Sequence, residues 1–264
     1  MKFFTAHTTT ASKIVTLLYA LYRLIVIVML GSSLYRQQWS HVALLVLTLI
    51  LFTLPYIIET YLHINIPSLL ELIVISFIFS STILGELSDF YGYIPIWDTA
   101  LHTLNGFLAA GVGFSLIYLL NENTTILKLT PLFIAVTTFC FSMTVGVAWE
   151  FVEFSADRWL NMDMQKDRIV RRVNSVDLGS RDNTVVQLQD IQRTVIDSKT
   201  ADGKKITTVI NNGYLDVGVV DTMKDLFVNF IGALFFSIFG YLYIEHEHKR
   251  FQFIRNFIPT RRKF

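Results

Sequence analysis

Six stretches of this chain are long and apolar enough to cross a bilayer, and that removes most folds from consideration. They fall near residues 14–34, 41–60, 67–85, 97–120, 131–155 and 223–245. A helix needs about 20 apolar residues to cross hydrocarbon, where every backbone N–H and C=O must find its partner within the protein. The expected fold class is therefore an all-α integral membrane protein with about six transmembrane helices. Of the 264 residues 53% are hydrophobic and only 16% charged, too few polar side chains to cover a water-soluble domain of this length. A net charge of +1 carries no nucleic-acid signature. Pro55 lies inside the second run and is expected to kink it. The N-terminal MKFFTAHTTTASK lacks a cleavage-site pattern, so the first span is expected to be retained. The single cysteine, Cys140, excludes an intramolecular disulfide and a multi-cysteine metal site, and reads as a small core residue.

Between the fifth and sixth runs lies the one sizeable polar region, residues 157–216. Its NTVVQLQDIQRTVIDSKTADGKKITTVINNG alternates β-branched and polar residues around Asp202-Gly203, which predicts a small β-hairpin in this extramembrane loop. Orientation follows from basic residues. Lys2 and Lys13 precede the first span, Lys128 lies between the fourth and fifth, and Lys249, Arg250, Arg255, Arg261, Arg262 and Lys263 follow the sixth. These place both termini in the cytoplasm. Arg158, Lys166, Arg168, Arg171 and Arg172 argue the other way, but they begin a long loop, and long loops obey the rule poorly.

Most of the acidic residues near lipid fall in four short stretches: GELSDFYGY, WDTALH, WEFVEFSAD and DTMKDLFVN. Within them Asp98 and His102 are spaced i,i+4 and Glu150 and Glu153 i,i+3, while Asp221, Asp225 and Asn229 step by four. Each set shares one helix face. With antiparallel neighbouring spans, all four stretches reach one membrane face, the outer one if the termini are cytoplasmic. Carboxylates gathered there would repel one another and raise their own pKa values unless they bind a cation, share protons, pair with Arg or open to water. Asp98, His102, Glu150, Glu153, Asp221 and Asp225 are thus candidate ligands of a divalent ion such as Mg, Mn or Zn. Glu150, Glu153 and His102 are the candidate acid–base groups, with Glu86, Asp157 and Asn229 as further polar members. Arg23, in the middle of the first span, is the one cation placed to reach inward.

Simpler roles compete at each position. Asp98 and Asp221 are placed to cap helix N-termini, and a lone His102 suits an interfacial hydrogen bond. Trp97, Trp149 and Trp159 fit an aromatic belt, and Gly106, Gly111, Gly113 and Gly232 suit helix packing. Glu86, Asp89 and Asp157 suit water, and His246 with His248 a solvated helix end. Capping explains Glu150, Glu153 and Asp225 least well, since they lie in or against apolar runs away from an obvious cap. The chain carries no Gly-x-Ser-x-Gly elbow, P-loop or His-Glu-x-x-His zinc helix.

The ordered set LGELSDFYGYIPIWDTALHTLNGF, VAWEFVEFSAD with NMDMQ, and GYLDVGVVDTMKDLFVNFIGAL resembles the YjdF-like family of bacterial membrane proteins, from about the second helix to the sixth. That family implies a location in the bacterial cytoplasmic membrane and no particular activity. Residues 167–211 look like an enlargement of a loop expected to be shorter. A remoter resemblance links the Asp/His span start, the Glu-containing span and Asp225, Asn229 and Gly232 to VanZ-type proteins, which are associated with glycopeptide resistance. The Arg that usually precedes the last motif has no clear counterpart here. This second likeness implies a role at the cell envelope.

Three functions fit these residues: a membrane-embedded enzyme on a lipid or envelope precursor, an ion- or proton-linked transporter, and a non-catalytic factor that binds a lipid headgroup or a partner through the 157–216 loop. Membrane lipid is the expected partner in each. The inner half of the spans reads as nearly free of ionisable groups, which counts against a transport pathway.

Overall fold

A computed structural model describes residues 10–123, 128–160, 162–179 and 183–261, so Lys2, Asn161, Arg262 and Lys263 lie outside the described residues. The protein is all-α in its spans. Among the described residues six helical segments are long and apolar enough to cross a membrane: Val15–Tyr35, Trp39–Tyr61, Ser68–Leu87, Trp97–Asn121, Pro131–Leu160 and Val219–Glu245. They carry many large apolar side chains on their outer faces, such as Leu17, Leu24, Ile27, Phe151 and Ile238, as a lipid-facing surface requires. The chain divides into two compact units, Met1–Val147 with Asp225–Phe264, and Ala148–Lys224.

In the first unit α1 (Thr10–Tyr35) precedes a second span built of two pieces, α2 (Trp39–Leu51) and α3 (Leu54–Leu62). Pro55 sits in the first turn of α3, where its missing N–H costs nothing. Its ring would clash with the carbonyl four residues back, that of Leu51, and α2 ends there. His63, in a left-handed conformation at φ 54°, ends α3. The two-residue β1 (Ile64–Asn65) follows, then α4 (Ser68–Phe79), which continues as a π-helix over Ser80–Leu87. α5 (Phe90–Tyr93) leads to α6 (Trp97–Asn123) and α7 (Pro131–Leu160).

α8 (Val219–Glu245) ends in a tail whose 3₁₀ turn, Gln252–Phe257, buries Ile254 and Phe257 in a core with Leu108, Phe114, Ile134 and Phe236. Ser115 Oγ donates to Phe257 O at 2.6 Å. A second core joins Val26 of α1, Leu45 and Phe52 with Ile78, Phe79 and Ile83. The later strand at Thr260–Arg261 pairs antiparallel with β1, so the end of the second span and the C-terminal tail share one end of this unit. Cys140 lies exposed on α7, not in the core. The buried stripe of that helix steps by four through Ile134, Thr138 and Ser142, and Cys140 falls between its members.

In the second unit the chain leaves α7 and forms short antiparallel pairs: β2 (Ile169–Val170) with β7 (Tyr214–Leu215), and β3 (Val173–Ser175) with β4 (Val186–Leu188). The hairpin is β5 (Arg193–Lys199) with β6 (Lys205–Asn211), in register from Arg193↔Asn211 to Lys199↔Lys205. Its loop closes through Thr200 N–H to Lys204 O at 2.9 Å, with Gly203 at φ +82°, where a residue without Cβ is favoured. The strand at Thr260–Arg261 is β8 in chain order.

Candidate functional site

α6 and α8 touch backbone to backbone in the first unit. A Cβ at Gly232 would fall well inside 3 Å of Thr103 O and 2.9 Å from Phe107 N, and one at Gly106 would overlap the Asn229 carbonyl. Two glycines therefore permit the approach, one on each helix. Moving along the pair, Asn229 neighbours Gly106, Phe236 neighbours Gly111 and Gly240 neighbours Phe114, so the two helices run parallel from Asp225 onward.

That packing converts two sequence motifs into one site. Asp98 and His102 project from one face of α6, and His102 Nε2 stands 3.4 Å from Asp98 Oδ1. Across the seam Asp225 Oδ2 of α8 stands 3.8 Å from the same nitrogen. One ligand atom of each residue lies within 4.8 Å of the others. Atoms bound at about 2.1 Å to a common centre stand about 3.0–3.4 Å apart, so side-chain movements of about 1 Å must close this set on a divalent ion. Access is graded: side-chain exposure falls from 25% at Asp98 to 12% at His102 and 2% at Asp225. Two carboxylates facing one imidazole in an apolar bundle favour a cation bound between them.

One turn deeper, Asn229 Oδ1 accepts from Asn105 Nδ2 at 3.3 Å, and Asn229 Nδ2 points to Met143 Sδ at 3.7 Å. A Cβ at Gly146 would lie 2.6 Å from that amide nitrogen, so α7 supplies a notch for it. Ser142 Oγ donates to Gly106 O at 2.7 Å. Asn105 was not among the candidates, though its place three residues after His102 puts it on the same helix face.

Other candidates lie elsewhere. Arg23 donates through Nη2 to Phe52 O at 3.4 Å, a carbonyl at the break between α2 and α3, and lies 5.2 Å from the centre of the Tyr19 ring. Its surroundings carry ionisable groups, so the end of the spans where the second helix meets the third, expected to be nearly free of them, is not. Tyr19 hydrogen-bonds the Glu71 carboxylate, Glu59 Oε1 accepts Ile66 N–H at 2.7 Å, and both carboxylates act electrostatically on Tyr19. Glu86 is exposed at the end of the π-helix.

In the second unit Glu150 and Glu153 are both buried on α7, and Trp149 Nε1 donates to Glu153 Oε1 at 2.8 Å, so this indole does more than line a belt. Asp157 accepts the N–H groups of Met164 and Gln165 at 2.6 and 2.8 Å. Asp221 accepts Lys166 N–H at 2.9 Å and pairs with Arg168 Nη2 at 3.3 Å. Asp216 accepts the N–H groups of Arg168 and Val220 at 2.6 and 2.8 Å. The carboxylate that satisfies the first turn of α8 is thus Asp216, and Asp157 and Asp221 hold the strap of residues 164–168. Burial would raise the Asp216 carboxyl, but its backbone donors outweigh that and hold it below the usual range. Burial and then the charges of Asp163, Asp216 and Asp157 push Asp167 up, against a smaller lowering by Lys166.

Six apolar helices, a β-hairpin loop and a carboxylate–imidazole cluster define a multi-pass membrane protein with a polar site in its helical bundle. Residues 15–180, more than half of the chain, match the family described as "Predicted membrane protein (DUF2238)", and the chain belongs to that family. The YjdF-like resemblance is consistent with this membership. The hairpin over residues 193–211 lies beyond the matched range. An uncharacterised protein of Thermotoga maritima is 27% identical over 106 residues, 40% of this chain and 53% of its own length, so the chain spans about half of that relative. No solved structure matches.

Proposed function

We propose that this protein is a membrane-embedded, metal-dependent enzyme of the bacterial cytoplasmic membrane, acting on a lipid or lipid-linked envelope precursor. The observation that carries the reading is the convergence of Asp98, His102 and Asp225 from two helices onto one point, with access falling from Asp98 to Asp225. These three would hold a divalent ion of the Mg, Mn or Zn type, which would act as a Lewis acid toward a phosphoryl or carbonyl oxygen. Asn229 and Asn105 position Asp225 and the α6–α8 seam. Glu150 and Glu153, buried one turn apart on α7, are acid–base candidates within their own unit. The flanking basic residues favour cytoplasmic termini, which would put the Asp98 end of α6 at the outer face, where envelope precursors are processed. The remote VanZ-type resemblance agrees with an envelope role.

The test is turnover of extracted membrane lipids and lipid-linked precursors by detergent-purified protein, followed by mass spectrometry of released headgroups. Product should form with wild type, stop on chelation and stay absent with His102→Ala. Equal product from chelated and metal-loaded protein would refute the proposal. Transport is the second reading, favoured by the Tyr19, Arg23, Glu59 and Glu71 group at the other end of the spans. Its distinguishing result is pH-driven solute uptake into liposomes that His102→Ala abolishes.

A further inference from the structure

The interior of the α6–α7–α8 seam holds polar groups that the metal site does not use. On α8, Asp225, Asn229, Ala233 and Ser237 step by four along one buried stripe, and on α7 Gly146, Ser142 and Thr138 do the same. From Asp225 to Ser237 is twelve residues, about 18 Å of helix, more than half of a bilayer core about 30 Å thick. Several helix hydroxyls bond back to the carbonyl four residues earlier, as Thr48, Thr82, Thr103, Thr137 and Thr144 do. That bond lies within easy reach of any helical Ser or Thr. Three hydroxyls on the seam decline it. Ser142 reaches across to Gly106 O, while Thr138 Oγ1 and Ser237 Oγ, at 0% and 4% residue exposure, have no hydrogen-bond partner among the described residues. A buried hydroxyl without a partner costs about 1–3 kcal/mol, and small polar cavities in proteins are commonly satisfied by internal water. An aromatic cluster packs beside these groups. Phe107, Phe236 and Phe257 pack edge to face with centroids 4.9, 5.2 and 5.4 Å apart, and Ser115 anchors Phe257 from α6.

We propose that the seam binds a file of internal water, entered from the Asp98–His102–Asp225 end and ending blind at Thr138 and Ser237 against the aromatic cluster. Asn105, Asn229 and Ser142 line its upper part. The file ends without a titratable group, so it hydrates the inner wall of the site and carries no proton through the bundle. It serves the site from within the bundle, and it stands whether or not a metal is bound.

The test places single cysteines at Thr138 and Ser237 in a Cys140→Ala background and exposes the reconstituted protein to silver ion from each side. Protection of the thiol from maleimide after denaturation is the readout. Cysteines at Val136 and Phe235, which face lipid, serve as controls. Reaction at 138 and 237 at least tenfold faster than at the controls, from the Asp98 side, is expected. Rates no faster than the controls, or access only from the opposite side, would overturn the proposal. Thr138→Val and Ser237→Ala give an independent check. Hydroxyls that hold water lose stability when replaced, so a lower Tm is expected, whereas an unchanged or higher Tm would mean a dry seam.

Discussion

Replacing Gly232 with alanine probes the contact that assembles the site. The new Cβ would sit against backbone of α6, 2.9 Å from Phe107 N, 3.1 Å from the Thr103 carbonyl carbon and closer still to its oxygen. Backbone cannot rotate away as a side chain can, so the helices must part. Restoring an ordinary carbon–oxygen separation of about 3.5 Å requires a local shift of about 1 Å or more. Overpacking of this kind costs about 1–3 kcal/mol. The shift would also carry Asp225, two turns along α8, away from its 3.8 Å approach to His102. Ligand distances tolerate only about 0.2 Å, so ion binding should fall further than stability does. Thermal unfolding in detergent and metal content together form the assay. Gly31→Ala is the control, because nothing lies within 4 Å of its added Cβ. Equal Tm and equal metal content in Gly232→Ala and Gly31→Ala would refute the reasoning that this glycine sets the α6–α8 distance.

Three further outcomes follow from the rest of the fold. Asp216 has a folded pKa below its unfolded value, so its contribution is present above the unfolded value of about 3.8 and disappears as pH falls through the lower folded one. Amide protection at Arg168 and Val220 should therefore persist at pH 5 and collapse only below pH 4. Asp216→Asn should weaken it at every pH, and hydrogen exchange reads both. Asp167 has the opposite sign: its raised pKa makes its contribution present at low pH and lost as pH rises through the folded value, so Asp167→Asn should stabilise the loop at pH 7. Arg23→Leu removes both the guanidinium over Tyr19 and the donor to Phe52 O, and should cost about 1–3 kcal/mol in unfolding stability. Arg23→Lys should restore only part of that, since Lys lacks the flat guanidinium face.

The membrane architecture was legible because bilayer thickness sets a length that six runs satisfy, and Pro55 announced the break in the second span. The hairpin was legible from its alternation and from Asp202-Gly203. Within the site, i,i+4 spacing paired Asp98 with His102 and Asp225 with Asn229. Their meeting across α6 and α8 depends on Gly106 and Gly232, whose role as close-approach points needs the neighbouring backbone to be seen. Asp157 and Asp221 tie down loop amides, a role with the same sequence signature as membership of a polar site or ligation of a metal. Arg23 was misplaced because its partner, Phe52 O, becomes available only where the helix breaks. Glu59 and Glu71 were not among the candidates, although both act electrostatically on Tyr19. Cys140 could have been placed correctly, since the period of the α7 polar residues already excluded it from the buried face.

Metal binding by the purified protein tests the central claim most directly. Calorimetric titration of chelator-stripped protein with Mn, Zn and Mg should show one saturable site per chain for at least one ion. That site should vanish in His102→Ala and in Asp225→Asn, and should persist in Asp157→Asn, whose carboxylate holds backbone amides. Absence of a stoichiometric site for all three ions, or a site indifferent to His102 and Asp225, would contradict the account.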